Sequence, residues 1–262
     1  MRVSERGFFG GLAADLYGAP GDGPPLVLLH GLSFDRRQWD PVLENLAVLA
    51  PERQVVSFDL PGHGNSPRRD SYRLPDVAAV VHGAVSEAGL APPVVVGHSL
   101  GGALATAYAG AYPAAGVVNI DQPLLAGPFA QLLRQAEGDL RGTAWEEVWN
   151  RLFSGMRTEL LPPAAQDLIR TTMRPRQDLL LGYWSELLDT SADELAEERA
   201  GNMRAIRENG VAYHHVAGEE VPPGYRRWLE GLLPDVSVIT LPGGGHFPHL
   251  GRPAELAALL AG

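Results

Sequence analysis

The chain of 262 residues contains no cysteine, and all 21 of its Lys and Arg residues are arginine. Without cysteine there is no disulfide framework, no thiolate metal site, no iron–sulfur cluster and no cysteine nucleophile. Without lysine there is no Schiff-base chemistry, no P-loop lysine and no kinase-type catalytic lysine. The side chains that remain as candidate nucleophiles are serine, threonine, aspartate, glutamate, histidine and tyrosine.

A basic stripe is also missing, and the formal net charge at pH 7 is −10. The arginine pairs are isolated from one another in the sequence: Arg36–Arg37, Arg68–Arg69 and Arg226–Arg227. We therefore expect no nucleic-acid partner. The segment 122–210 shows no evident arginine cluster, which gives no reason to expect a phosphate or polyanionic substrate.

Long apolar runs are absent as well. No stretch reaches the roughly 18 apolar residues of a membrane-spanning helix, and the N-terminus does not resemble a signal peptide. We expect a cytoplasmic protein with no membrane association, and the sequence leaves a monomer and a homodimer equally open.

Short, continuous apolar runs are what the chain does have. Continuous rather than alternating apolarity is typical of strands that are buried on both faces of a parallel sheet. Together with the helical patterns between them, these runs predict a doubly wound α/β sheet. The predicted strands are Pro25–His30, Gln54–Asp59, Pro93–Gly97, Gly116–Ile120, Val211–Val216 and Val236–Leu241.

The middle of the chain shows no convincing strand and predicts about four short helices. Two candidate capping boxes, Thr143 with Glu146 and Ser191 with Glu194, indicate helix starts there. The domain organisation that follows is a core of residues 1–121 and 211–262 with a helical cap of residues 122–210 inserted into it.

The hexapeptide Gly97-His98-Ser99-Leu100-Gly101-Gly102 lies between a predicted strand and an Ala-rich predicted helix. It matches the G-x-S-x-G pattern of a nucleophile on a sharp strand-to-helix turn. Such a turn requires small residues two positions before and after the serine, and glycine occupies both. Ser99 is the candidate nucleophile, and the Leu100 backbone N–H is a candidate donor to a developing oxyanion.

Two further segments complete a candidate catalytic set. His30-Gly31-Leu32 ends an early predicted strand, and the Leu32 N–H is the candidate second oxyanion donor. His246 follows a run of glycines after the last predicted strand. It is the candidate general base for Ser99, because an ordinary serine hydroxyl is a weak nucleophile.

Four motifs, taken in order and spacing, resemble the α/β-hydrolase fold family over about residues 20–260. They are His30-Gly31, Asp59 to Ser66, Gly97 to Gly102, and Gly245-His246-Phe247. The resemblance implies a mostly parallel sheet of about eight strands, a helical cap after the sixth, a Ser–acid–His triad and no cofactor. The spacing of the histidines and carboxylates suggests no metal site. Asp59 is expected only to fix its own loop through side-chain-to-backbone bonds.

The acid departs from the commonest family pattern. Most relatives place an Asp after the penultimate strand, where this chain has Val221. Glu219 or Glu220 could serve from a shifted loop. Alternatively, Asp121 could serve, since some branches of the family place the acid after the sixth strand. The sequence favours Asp121 and leaves the two glutamates as alternatives.

The expected function is a cofactor-independent serine hydrolase acting on a carboxylic ester or lactone of a small, mostly apolar molecule. Among the aromatic residues of the cap, Phe129, Tyr183 and Trp184 are candidates to line the pocket. Thioester or carbon–carbon bond hydrolysis, a lyase reaction or a tailoring step in secondary metabolism remain alternatives on the same machinery. A ligand receptor with little turnover is the alternative from another class.

Overall fold

Eight strands form a single sheet in the computed structural model, which describes residues 1–21 and 23–262. The strands are β1 (Val3–Phe9), β2 (Leu12–Tyr17), β3 (Leu26–Leu29), β4 (Val55–Phe58), β5 (Val94–His98), β6 (Gly116–Ile120), β7 (Ala212–Ala217) and β8 (Ser237–Thr240). All six strands predicted from apolar runs are confirmed. The two N-terminal strands were not identified from the residues: β1 is an edge strand with few buried side chains, so it shows no apolar run.

The strand order is β1-β2-β4-β3-β5-β6-β7-β8. Only the β1–β2 and β2–β4 pairs are antiparallel, and the other pairs are parallel. Strand β5 therefore lies between β3 and β6. As a result, the residues after these three strands meet at one edge of the sheet, which is where ligands bind in open α/β folds.

Helices cover both faces of the sheet. They are α1 (Asp40–Leu49), α2 (Leu74–Glu87), α3 (Leu100–Ala111), α11 (Pro223–Leu232), α12 (Pro248–Gly251) and α13 (Pro253–Ala261), with a 3-10 helix at Arg36–Trp39. Successive residues of a strand enter different cores. Val27 and Leu29 pack in the larger cluster with α2 and α3, whereas Leu26 and Leu28 pack with α1 and α13.

Seven helices lie between β6 and β7, where about four were predicted. They are α4 (Gly127–Gln135), α5 (Glu137–Arg141), α6 (Trp145–Ser154), α7 (Pro163–Thr172), α8 (Gln177–Tyr183), α9 (Ser185–Asp189) and α10 (Ala192–Glu208), with a 3-10 helix at Thr158–Leu160. We call residues 122–210 the inserted segment. Its last helix, α10, packs against α3 and so joins the layer that covers the sheet.

The two predicted capping boxes had different outcomes. Ser191 and Glu194 form a complete capping box at the start of α10. The Thr143–Glu146 prediction was wrong, because α6 begins at Trp145 with Ala144 as its N-cap, one residue too late for Thr143 to cap it. Within the described residues, no helix combines the length and the apolar character that a membrane crossing requires.

Candidate active site

Ser99 occupies the turn between β5 and α3 with φ of 52° and ψ of −121°. Positive φ is strained for a residue with a side chain and points to a functional position. The glycines on either side are sterically required. A Cβ on Gly97 would overlap the carbonyl oxygen of Gly101, and a Cβ on Gly101 would overlap that of Leu29. The serine thus lies half-buried at the N-terminus of α3, as the hexapeptide predicts.

Asp121 and His246 are in direct contact, although 125 positions separate them in the chain. His246 Nδ1 lies 2.7 Å from Asp121 Oδ2. Asp121 directly follows β6, and its backbone N–H is bonded to the Val216 carbonyl in β7. If Nδ1 carries the proton donated to the carboxylate, Nε2 of neutral His246 is left as the proton acceptor that a general base needs.

The loop after β7 supports Asp121 without supplying an acid of its own. The Gly218 backbone N–H donates to Asp121 Oδ1 over 2.9 Å. The Glu219 carboxylate is instead paired with Arg157 of the inserted segment, and the Glu220 side chain is exposed. Val221, at the position where relatives have Asp, is buried. The geometry therefore brings Asp121, and neither glutamate, to His246.

Asp121 has a pKa below its usual value despite its burial. Desolvation is the largest single influence and raises the pKa of this carboxyl. The hydrogen bond and charge of His246, followed by the Gly218 N–H, lower the pKa by more than desolvation raises it. The carboxylate is therefore ionised at neutral pH, which is the state that orients a histidine and stabilises its imidazolium.

His98 ties the serine turn to the histidine loop, a contact that sequence reasoning missed. Its Nε2 donates to the His246 carbonyl oxygen over 2.7 Å. Desolvation, and then the nearby His249 and His246, hold the pKa of His98 well below its usual value, so the ring stays neutral. The only sequence signal was its place directly before Ser99, which the G-x-S-x-G pattern leaves unspecified.

The Leu32 N–H lies in a loop whose neighbouring amides are already bonded. Gly31 N donates to Gln38 Oε1 over 2.9 Å, and Ser33 N donates to His63 Nε2 over 3.0 Å. Across residues 1–21 and 23–262, we find no acceptor for the Leu32 N–H. Leu100 is the first residue of α3, so its N–H has no partner within the helix. Both predicted oxyanion donors therefore remain candidates.

Two buried imidazoles accept backbone N–H groups from the loops after β3 and β4. His30 Nε2 accepts from the Leu60 N–H at 2.9 Å, just as His63 Nε2 accepts from Ser33. Burial lowers the pKa of both rings.

Among the described residues, no group of three or more His, Asp or Glu side chains is placed to hold a metal ion.

Asp59 forms the side-chain-to-backbone bonds that were predicted for its loop. Its carboxylate accepts the backbone N–H groups of Arg36 and Asn65, each over 2.8 Å, and pairs with the Arg36 guanidinium. The side chain is fully buried. It therefore joins the loop after β4 to the loop after β3, and the predicted structural role is confirmed.

The three candidate pocket residues lie together in the inserted segment. Tyr183 is buried, and its hydroxyl donates to the Pro61 carbonyl over 3.0 Å. Trp184 is buried between the rings of Phe129 and Trp149. Phe129 is 37% exposed. A pocket role for these three residues stays a prediction.

Apolar side chains flank both candidate catalytic loops. Phe34, two residues after Leu32, contacts Phe247, which follows His246, with ring centroids 5.7 Å apart. The two rings join a buried cluster with Leu161, Ala165, Ile169 and Leu250. The inserted segment also contacts the histidine loop directly, because the His246 N–H donates to the Met156 carbonyl over 3.1 Å.

Comparisons with known proteins agree with this architecture. The model of the alpha/beta hydrolase family matches residues 26–259. RutD of Shigella flexneri serotype 5b (strain 8401), whose name proposes a carbamate hydrolase, is 40% identical over 247 residues, which cover 91% of this chain and 90% of that protein. The pimeloyl-[acyl-carrier protein] methyl ester esterase of Xanthomonas oryzae pv. oryzae (strain MAFF 311018) is 28% identical over 92% of this chain and 94% of its own.

A solved structure shows the same fold. The thermophilic esterase of Thermogutta terrifontis superposes with a TM-score of 0.73 at 21% identity, covering 98% of this chain and 97% of that chain. The chain spans about half the length of other curated relatives that it matches, the bifunctional biotin biosynthesis proteins, of which it covers 46% and 43%. The family model, the 40% identical relative and the sheet order together show that the chain belongs to the alpha/beta hydrolase family.

Proposed function

We propose that this protein is a cofactor-independent serine hydrolase that cleaves a carboxylic ester or lactone through an acyl-enzyme. The observation that carries the proposal is the 2.7 Å contact between His246 and Asp121, in a loop that His98 joins to the serine turn. Ser99 attacks the substrate carbonyl, and His246 takes its proton. The Leu32 and Leu100 amides stabilise the oxyanion.

The second half of the reaction uses the same groups. The tetrahedral intermediate collapses, and His246 passes its proton to the leaving oxygen. An ester then releases its alcohol, whereas in a lactone the new hydroxyl stays on the acyl group, and in both cases the acyl group remains on Ser99. His246 then activates a water that attacks the acyl carbon and releases the acid. Asp121 holds the imidazole in the required tautomer throughout.

The substrate class rests on the surroundings of the two catalytic loops. Phe34 and Phe247 are buried beside the two loops, where they pack with Ile169 of helix α7. Such surroundings favour a small, mostly apolar acyl or alcohol group. In this proposal the inserted segment serves as the cap, and Met156 holds it against the histidine loop.

Covalent labelling tests the proposal. A fluorophosphonate probe is expected to label the wild-type protein and Ser86→Ala, which alters an exposed serine on α2, but not Ser99→Ala. A panel of small esters, lactones, thioesters and carbamates then ranks the bonds by kcat/KM. The carbamates are included because of the 40% identical relative. Absence of labelling in the folded wild-type protein, together with tight ligand binding, would favour a receptor.

A further inference from the structure

A polar cleft of about 620 Å³ lies beside the candidate oxyanion loop. Its walls come from Arg6 of β1, Asp15 of β2, residues 33–37 after β3, residues 59–65 after β4, and residues 172–179 of the inserted segment. Neither Ser99 nor His246 lines it. The mechanism proposed above uses no side chain of this cleft.

The cleft is positively charged, although the whole chain carries −10. Five arginines and three aspartates line it, which leaves an excess of two positive charges; they are Arg6, Arg36, Arg37, Arg174 and Arg176 with Asp15, Asp35 and Asp59. Arg176 is paired with Asp178 over 2.9 Å, and Arg68 contacts the same carboxylate over 3.3 Å. Counting Arg68 and Asp178 as well therefore leaves the excess unchanged. This cluster cannot be identified from the sequence, because its members come from five separate segments.

Most of these arginines are already bound to carboxylates. Arg6 holds Asp15 through two bonds of 2.7 and 3.0 Å, and Arg37 holds Asp35 in the same way with bonds of 3.0 and 2.7 Å. Arg174 differs from them. Within the described residues, its guanidinium donates only to the backbone carbonyls of Met173 (2.7 Å) and Arg170 (3.3 Å).

Ser33 provides a second, independent observation. It lines the cleft with 1% of its surface exposed, and its Oγ has no hydrogen-bond partner in the part of the chain that the structure describes. Its backbone is fixed on both sides, since its N–H donates to His63 and its carbonyl accepts the Arg174 N–H over 2.7 Å. A buried hydroxyl without a partner is costly, and a bound acceptor would relieve that cost.

We propose that this cleft is a binding site for a phosphate group, either the free ion or the phosphoryl end of a small monoester. A phosphate group carries about 1.5 to 2 negative charges at neutral pH, which balances most of the excess of two in the cleft. The planar guanidinium of Arg174 suits its oxygens, and the Ser33 hydroxyl can donate to one of them. Because Arg174 belongs to the inserted segment and Ser33 to the core, the ligand would join the two.

Titration calorimetry on Ser99→Ala protein, at constant ionic strength, tests binding independently of catalysis. Inorganic phosphate is expected to bind one-to-one. Arg174→Gln should weaken binding about tenfold or more, because it removes a charge-assisted bond. Arg227→Gln, which removes the same charge from an exposed position on α11, should leave the Kd unchanged. Asp35→Asn should tighten binding, because it removes a negative charge and releases Arg37.

Phenyl phosphate in parallel distinguishes the two sources of the ligand: tighter binding than phosphate identifies a monoester, and weaker binding identifies the free ion. Phosphate should also raise the Tm of the wild-type protein but not that of Arg174→Gln, whose Tm without phosphate reports intact folding. The proposal is overturned if both probes bind more weakly than about 1 mM at about 0.15 M salt. It is equally overturned if Arg227→Gln and Arg174→Gln weaken binding alike.

Discussion

The loops that follow β6 and β7 lie side by side, and they contribute to the histidine in different ways. The β6 loop provides a carboxylate, Asp121, which contacts His246 at 2.7 Å. The β7 loop provides a backbone N–H, from Gly218, which contacts that carboxylate at 2.9 Å. It has Val221 where the commoner family pattern has Asp. The acid can therefore stand on either strand end, because both ends lie at the same edge of a parallel sheet.

The difference between the loops is also one of charge. The half-buried Asp121 carboxylate is balanced by His246 and by the Gly218 amide. Glu219 is well exposed and pairs with Arg157 at the surface. A charge held in a low-dielectric site by specific donors acts far more strongly than one screened by water. This contrast between the β6 and β7 loops leads to four predictions.

The largest effect is expected for Asp121→Asn. The amide preserves the shape but cannot stabilise an imidazolium, and it favours the wrong tautomer of His246. If Asp121 acts as the acid of a Ser-His-Asp triad, kcat should fall about 10⁴-fold. Steady-state kinetics with an ester identified by the substrate panel measures this fall in kcat. The rates at which the fluorophosphonate probe labels the wild-type and variant proteins under the same conditions provide a second comparison. Near-normal kcat in the variant would remove Asp121 from the mechanism.

A smaller effect is expected for Gly218→Ala. A Cβ at this position would overlap the Gly245 carbonyl oxygen, so the β7 loop and the histidine loop must separate. Overpacking of this kind costs about 1–3 kcal/mol. We expect that loss in denaturant unfolding and a fall in kcat of about tenfold, because Asp121 loses its amide donor. Gly224→Ala is the matched control, since its added Cβ would meet no described heavy atom within 4 Å apart from its chain neighbours and the adjacent backbone of its own helix. Equal behaviour of the two variants would contradict the close packing of the loops.

The serine turn could be predicted from sequence because its requirements are local. A side chain at Gly97 would clash with Gly101, four positions away, and a side chain at Gly101 would clash with Leu29 on the adjacent strand. The same glycine pattern therefore occurs wherever this turn is formed. The six buried strands were predictable for a similar reason, since burial on both faces produces continuous apolar runs. The exposed edge strand β1 shows no such pattern.

The acid and the arginine cleft could not be derived in the same way. Asp121 and His246 are 125 positions apart, and only the relative placement of two strand ends decides which carboxylate reaches the imidazole. The cleft gathers arginines from separate segments, so each looks isolated in the sequence. The role of His98 depends on a single long-range bond to the His246 carbonyl, which no local pattern encodes.

A smaller effect is expected in the pH dependence of stability, which should differ between wild-type protein and Asp121→Asn. The pKa of Asp121 is lower in the folded protein than its usual value, so its ionisation stabilises the fold above about pH 4 and this contribution is lost as the pH falls through the folded pKa. The stability advantage of wild-type protein over Asp121→Asn should therefore shrink as the pH falls below about 5 and through the folded pKa of Asp121. Urea unfolding of both proteins across this range measures it. A constant advantage would mean that Asp121 contributes no ionisation-linked stability.

The smallest effect is expected for Glu219→Gln, which leaves the β7 loop otherwise unchanged. The Arg157–Glu219 pair is more than half exposed on both sides, and such pairs contribute about 0–1 kcal/mol. We expect kcat to change by less than about twofold, because the carboxylate does not face His246 and the change removes only a screened surface charge. Glu220→Gln, at the adjacent exposed position, is the matched control. If either glutamine variant instead lost kcat as severely as Asp121→Asn, the β7 loop would have to supply the acid after rearranging in the working enzyme.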